Sequence, residues 1–296
     1  MSTTFQKART FIYRNARPVD LARFQFHFEH GSKDAVLTAL GAYQNEDGGF
    51  GHALEPDCWN PHSSPIQTWA ATEILLEIGH DAAAHPIAQG ILRYLASGKD
   101  FTGRFWANCV QSNNDHPHAP WWNAERDSTC KHDYNPTACL AGFILRFAEP
   151  DSELRKLGQR IANEALENFM TRNVEDMHTL GCFVRLYEYA GIGDMERLKQ
   201  QVKQCITIKN TQWEHGYVCK PSQFFNTCDS VFYADNQNIA DYECEHIIKT
   251  QQDDGAWNIP WSWESYPEAW AVSKNWWRGD VAVKNLLYLK GIGNNV

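Results

Sequence analysis

The sequence predicts an all-α protein, on three observations. Helical periodicity runs through most of the chain, helix punctuation by capping residue, Pro and Gly recurs, and no segment sustains the β-branched alternation of a strand. In the first periodic stretch Val36, Leu37, Leu40 and Tyr43 fall at three- and four-residue steps. Residues 63–79, "SSPIQTWAATEILLEIG", place Ile66, Trp69, Ala70, Ile74 and Ile78 on one stripe. They open on Ser63-Ser64-Pro65 and close at Gly79, as helices with a Pro start and a Gly stop do. Residues 85–98 repeat that grammar. In "NPTACLAGFILRFAEP" Asn135 reads as the cap, Pro136 as the first helical residue and Pro150 as the terminator. Further helices are expected over 152–170, 178–191, 195–208, 230–250, 266–279 and 280–293.

The helices differ in kind. "PTACLAGFIL" and "HTLGCFV" are apolar and small, while "SELRKLGQRIANEAL" and "MERLKQQVKQC" are charged on one face. That alternation predicts an inner layer buried on most sides and an outer layer facing water.

Composition excludes several classes of function. The chain has 296 residues, 43% of them hydrophobic, enough to bury a sizeable core. Its net charge of -9 opposes binding to nucleic acid or to an anionic membrane surface. No apolar run approaches the roughly 20 residues that span a bilayer. The N-terminus carries charges where a signal peptide needs an apolar stretch, so a cytoplasmic protein is expected. The nine cysteines are scattered and odd in number, which reads as buried thiols rather than a disulfide framework. Aromatics are abundant, at 13% with twelve Trp.

An internal repeat organises the chain. "QNEDGGF" (44–50) recurs as "QQDDGAW" (251–257), with degenerate copies over 97–106 and 210–217. Gly precedes the aromatic by two residues at Phe50, Phe105 and Trp257, and directly at Tyr217. Each copy sits between an outer helix and the next inner one. Helix pairs joined this way cannot bury themselves alone, so they stack or close into a ring. The loop chemistry is that of a joint. Gly48-Gly49 permits positive φ, the Gln44 amide can tie down carbonyls, Asp47 and Asp254 can accept backbone N–H bonds, and the ring of Phe50 or Trp257 wedges between repeats.

These repeats resemble the QW-type repeats of the squalene cyclase and protein prenyltransferase superfamily. More narrowly, "YQNEDGGFGHALEPD", "HPHAPWW", "NPTACLAGFIL" and "WWRGDVAVKNLLYLKGIG" resemble a bacterial prenyltransferase-like family of about this length with no established activity. The resemblance implies an α/α toroid: one domain over residues 1–296, of roughly five helix pairs, with residues 1–30 as an N-terminal helical extension. It implies a small-molecule ligand in the central cavity, possibly isoprenoid. Two departures bear on that implication. Neither the Asp-x-Asp-Asp tetrad of class II cyclases nor the Asp-Asp-x-x-Asp of class I enzymes occurs here. Asp57, Cys58 and His62 match the zinc ligands of protein prenyltransferases in type but not in spacing, because Asp57 and Cys58 are adjacent. No cofactor is therefore expected, with zinc or magnesium the alternatives.

Three stretches go beyond the joint. The first copy continues as "GHALEPD" (51–57), where His52 and Glu55 can be a base and its orienting partner and Asp57 can stabilise positive charge. Residues 113–127, "NNDHPHAPWWNAERD", set His116 and His118 around Pro117, followed by Trp121 and Trp122. Such a loop can be a lid or a preorganised aromatic wall. "NIPWSWESYPEAW" prolongs the last copy with Trp261, Trp263, Glu264 and Tyr266. The candidate catalytic residues are His52, Glu55, Asp57 and His118, and the candidate binding residues His116, Trp121, Trp122, Trp257, Trp261, Trp263 and Glu264. Indole walls suit carbocations and also sugar rings. A carbohydrate-active enzyme therefore stands beside the isoprenoid reading, with Glu55 or Asp57 against Glu264 as its carboxylate pair. A non-catalytic scaffold is the third possibility.

Overall fold

The computed structural model describes residues 2–125, 133–213 and 216–293. Among the described residues there are twelve α-helices, short 3-10 turns and isolated bridges, with no strand. No described helix is long and apolar enough to cross a membrane. Where one domain is expected, backbone contacts cluster into two compact units. Unit 1 is Met1–Ala39, Lys199–Ser262 and Glu268–Val296, and unit 2 is Leu40–Leu198 with Trp263–Pro267.

Unit 2 is built around α4 (Pro65–Glu77), α6 (Tyr134–Phe147) and α8 (Met177–Ala190), with α5 (Pro86–Ala96) and α7 (Glu153–Thr171) between them in the chain. The Ser64 hydroxyl caps α4 and Gly79, at φ 60°, ends it, as the punctuation predicts. In α6 Asn135 is non-helical (φ -100°, ψ 113°) and follows a turn at Tyr134, so regular helix begins at Pro136. The layers separate as expected here. Nearly all of α6 is buried, whereas α7 buries one stripe of Gly158, Ile161, Ala162, Ala165 and Phe169. Gly142 lets α6 approach α8, since a Cβ there would meet Leu186 and Tyr189. Gly158 does the same between α7 and Ile144 of α6.

In unit 1, α1 (Thr3–Asn15), α2 (Pro18–Phe28), α11 (Gln237–Thr250) and α12 (Pro267–Gly291) carry the core. Residues 266–293, expected as two helices, form one. Gly279 does not break it, because it sits where a Cβ would lie 3.2 Å from Ala16. A buried ion network ties α2 to α12: Arg23 reaches both Asp20 (2.9 Å) and Asp280 (2.7 Å). Within residues 1–30, Asp20 and Arg23 are thus buried in that network.

Both units contain a joint. In unit 2 the Gln44 side-chain N–H donates to Gly48 O (2.9 Å) and Ile87 O of α5 (3.1 Å). Asp47 accepts the Gly49 N–H and the Ser63 hydroxyl. Gly48 has φ 92°, and a Cβ there would lie 2.1 Å from Gly90 O. Phe50 is fully buried and its N–H donates to Thr68 Oγ1 of α4. In unit 1 Gln251 donates to Gly255 O and to Thr4 O of α1, both at 2.9 Å. Asp254 accepts the Ala256 N–H. Gly255 has φ 97°, and a Cβ there would lie 2.2 Å from Lys7 O. Trp257 is buried and donates its indole N–H to Ile247 O.

The copy over 97–106 corrects one expectation. Its wedge is Trp106, which is fully buried and donates its N–H to Thr137 Oγ1 of α6, as Phe50 does to Thr68. Phe105 is half-buried and packs against Tyr134. In the copy over 210–217, Glu214 and His215 lie outside the described residues, as does the 126–127 end of the 113–127 loop. Cys58, Cys139, Cys182, Cys219 and Cys244 are buried thiols, as expected of small hydrophobes, while Cys109 is disulfide-bonded.

Candidate functional site

The extension after the first joint turns sharply inward. Gly51 lies against the Pro61 carbonyl, 2.3 Å from where a Cβ would be. His52 and Ala53 then both adopt left-handed backbone, at φ 59° and 60°. Two such non-glycine residues in a row cost about 1–2 kcal/mol each, and strain of this kind gathers at functional turns. The turn carries Glu55 and Asp57 inside, at 7% and 2% exposure. It docks on the start of α4, where Gln67 accepts the Leu54 N–H and donates to Asn60 O.

Each carboxylate meets an indole. Trp122 donates its ring N–H to Glu55 (3.0 Å), and Trp263 donates to Asp57 (2.9 Å). The 113–122 loop zips onto the extension through main-chain bonds from Ala119 to Asp57 O and from Trp59 to Pro117 O. Asn113 accepts from both Cys58 and Asn60 and donates to Trp122 O. His118 is 5% exposed, and its Nδ1–H donates to His116 O (2.7 Å). That bond occupies Nδ1 and leaves Nε2 as the ring nitrogen open to a ligand. Tyr266 lies against the same ring, with centroids 5.7 Å apart.

Glu55, Asp57, His118, Trp122 and Trp263 are thus gathered in one unit. His52 is not placed as Glu55's partner. It is exposed, and its Nε2–H donates to Asn45 Oδ1, because Asn45 spends its amide N–H groups on Pro61 O and Ser63. His116 packs edge-on against His62, Trp121 is half-buried, and Glu264 is exposed. Trp257 and Trp261 belong to unit 1, Trp257 in its core and Trp261 between Tyr217 and Trp277. Burial, with the Glu55 and Asp57 charges, pushes the Cys58 thiol up to about 12. Among the described residues no group of three or more His, Cys, Asp or Glu side chains is placed to hold a metal ion.

A second cluster on the inner helices had no sequence signal. Arg185 of α8 donates to Glu73 of α4 (2.8 Å) and to Glu188 one turn on (2.7 Å). Beneath it Cys139 of α6 lies 3.7 Å from Glu73, and Cys182 lies 3.7 Å from Asn135 Oδ1. Burial and the Glu73 charge hold both thiols well above their ordinary value, hence protonated. Burial raises the Glu188 carboxyl against the pull of Arg185. It would also discharge Arg185, but Glu73 and Glu188 keep that guanidinium charged. Yet Glu73, Arg185 and Glu188 stay 26%, 22% and 36% exposed. Solvent therefore reaches all three side chains. Trp69, one turn before Glu73 on α4, has a buried indole N–H that no acceptor meets. Gln67, which seats the extension, is six residues before Glu73, about 9 Å along the helix.

Glu73 sits in a stripe that reads as a plain amphipathic helix, and Arg185 and Glu188 in "FVRLYEYAG" read as its wet face. Only the approach of α4 and α8 shows them together. Compared with protein-family models, with curated proteins and with solved structures, the chain finds no match in any of the three.

Proposed function

We propose that the chain is an α/α toroid that binds or transforms a hydroxyl-rich small organic ligand of the carbohydrate class. In this proposal the Glu73–Arg185–Glu188 group is the wall of a binding recess in unit 2 and the extension is its rim. The toroid is supported by the joints. Gln251 ties its loop to α1 as Gln44 ties its loop to α5, so the first helix of the chain stands to the last joint as an outer helix stands to the first. A ring of repeats closes in this way.

The observation that carries the ligand class is the Glu73–Arg185–Glu188 group. Two carboxylates against one guanidinium leave a net negative wall, which repels an isoprenoid diphosphate and offers both acceptors and donors to a diol. The half-buried indoles of Trp69 and Trp122 add flat apolar faces of the kind sugar rings stack on. Both carboxylates reach one guanidinium, so they lie no further apart than the roughly 10 Å over which carboxylate pairs act on glycosidic bonds. Burial raises the Glu188 carboxyl above its ordinary value, the direction that suits a proton donor, with Glu73 as its counterpart.

Calorimetric titration with neutral oligosaccharides and with an isoprenoid diphosphate tests this. A sugar should bind, with affinity at least tenfold weaker in Glu73→Gln, and the diphosphate should not. Binding of the diphosphate with no response to sugars would overturn the assignment.

A further inference from the structure

Unit 1 holds a pair of thiols that neither joint nor recess uses. Cys205 is the last residue of α9 (Met195–Cys205), and Cys219 lies in the extended segment that returns beside it. Neither is in a disulfide, and their sulfurs are 3.5 Å apart. The backbones around them are already clamped, because the Thr207 N–H donates to Cys219 O at 2.9 Å. Inside the segment they bracket, the buried Trp213 donates its indole N–H to Thr207 O, and the Lys220 ammonium sits over the same ring. A disulfide needs its sulfurs about 2.05 Å apart, so closure asks for roughly 1.5 Å of approach, within reach of side-chain rotation.

We propose that Cys205 and Cys219 are an oxidisable dithiol, which a peroxide converts into a disulfide that joins the end of α9 to the extended segment at Cys219. Cys205 is half-buried and Cys219 only 8% exposed, so Cys205 meets the oxidant first. Its thiolate attacks one peroxide oxygen, the O–O bond breaks, and the departing oxygen takes a proton and leaves as water. The sulfenic acid so formed is attacked at sulfur by the Cys219 thiolate. The S–S bond forms, the S–O bond breaks, and a second water leaves. Two thiols are oxidised, one peroxide is reduced, and a dithiol reductant reverses the step.

The test is peptide mapping of the full chain before and after hydrogen peroxide, with intact mass and alkylation by iodoacetamide. The expected result is a loss of about 2 Da, a cross-linked peptide pair joining 205 to 219, and reversal by dithiothreitol. The link should vanish in Cys205→Ser and in Cys219→Ser and persist in Cys228→Ser, which removes an exposed free thiol. Hydrogen exchange over 206–218 should slow in the oxidised form. Peroxide that leaves both cysteines alkylatable, or takes either to sulfinic acid with no 205–219 link, overturns the proposal. The peptide map needs only the unmodified sequence, so it decides the matter even if a serine variant fails to fold.

Discussion

At residues 44–50 and again at 251–257, a glutamine amide bonds one carbonyl inside its own loop and one on a neighbouring helix. In both, an aspartate accepts a backbone N–H two residues on, and a glycine at φ above 90° presses on another backbone. The two copies diverge at and beyond the aromatic ring. After Phe50 the chain turns through two left-handed residues and buries two carboxylates, while the side chain of Trp257 ends in the core of unit 1. The shared chemistry is therefore structural. Function is to be sought in the residues that only one copy has, and in the inner helices that the joint positions.

The equivalence of the joints is most severely tested at their glycines. Gly48→Ala and Gly255→Ala each place a Cβ about 2 Å from a carbonyl oxygen in a left-handed backbone. Each should cost about 3 kcal/mol or more in urea unfolding. A large loss in one and none in the other would break the comparison. Next come Gln44→Ala and Gln251→Ala, which strand the same two kinds of carbonyl. A loss of about 1–3 kcal/mol is expected in each, read from the unfolding midpoint. In the extension, Glu55→Gln keeps an acceptor for the Trp122 indole, so stability should change by less than about 1 kcal/mol while ligand affinity falls about tenfold. A stability loss with unchanged affinity would make Glu55 part of the frame.

The smallest effect belongs to the exposed Lys99–Asp47 pair. Lys99→Ala should cost at most about 1 kcal/mol, and less in high salt, whereas Arg278→Ala, which also loses a bond to Trp257 O and a contact with Phe11, should cost more. Burial alone would raise the carboxyls of Asp47 and Asp254. Ser63, Gly49 and Lys99 hold the first below its ordinary value, and Arg278 and Ala256 hold the second. Their folded values are depressed, so this contribution is present above the unfolded value near 4 and is lost as pH falls through the folded one. Acid unfolding of Asp47→Asn compared with the parent reads that loss.

The helices and the joint are legible in the sequence because they depend on local chemistry. Ser64-Pro65, Gly79 and the Gln44 loop act within a turn or two of their own sequence. The Gly spacing points to Phe105 as a wedge, but this copy is one residue shorter between Phe101 and Trp106, and only the bond to Thr137 shows which ring is equivalent. Gly279 reads as a helix stop and is a contact with Ala16. The Glu73–Arg185–Glu188 group is invisible in the sequence, since Glu73 and Arg185 stand 112 positions apart and each alone looks like an ordinary wet-face charge. Glu55 and Asp57 stand out because a joint has no use for them, yet their indole partners at Trp122 and Trp263 come from two other segments.

The indole N–H resonances of Trp122, Trp263 and Trp257, followed by NMR during titration with a neutral oligosaccharide, test the central claim most directly. The Trp122 and Trp263 signals should shift together, saturating with the affinity seen by calorimetry, while the Trp257 signal, bonded in the core to Ile247, stays in place. A bound ligand that leaves Trp122 and Trp263 unmoved and shifts Trp257 would contradict the division of the molecule into joint and site.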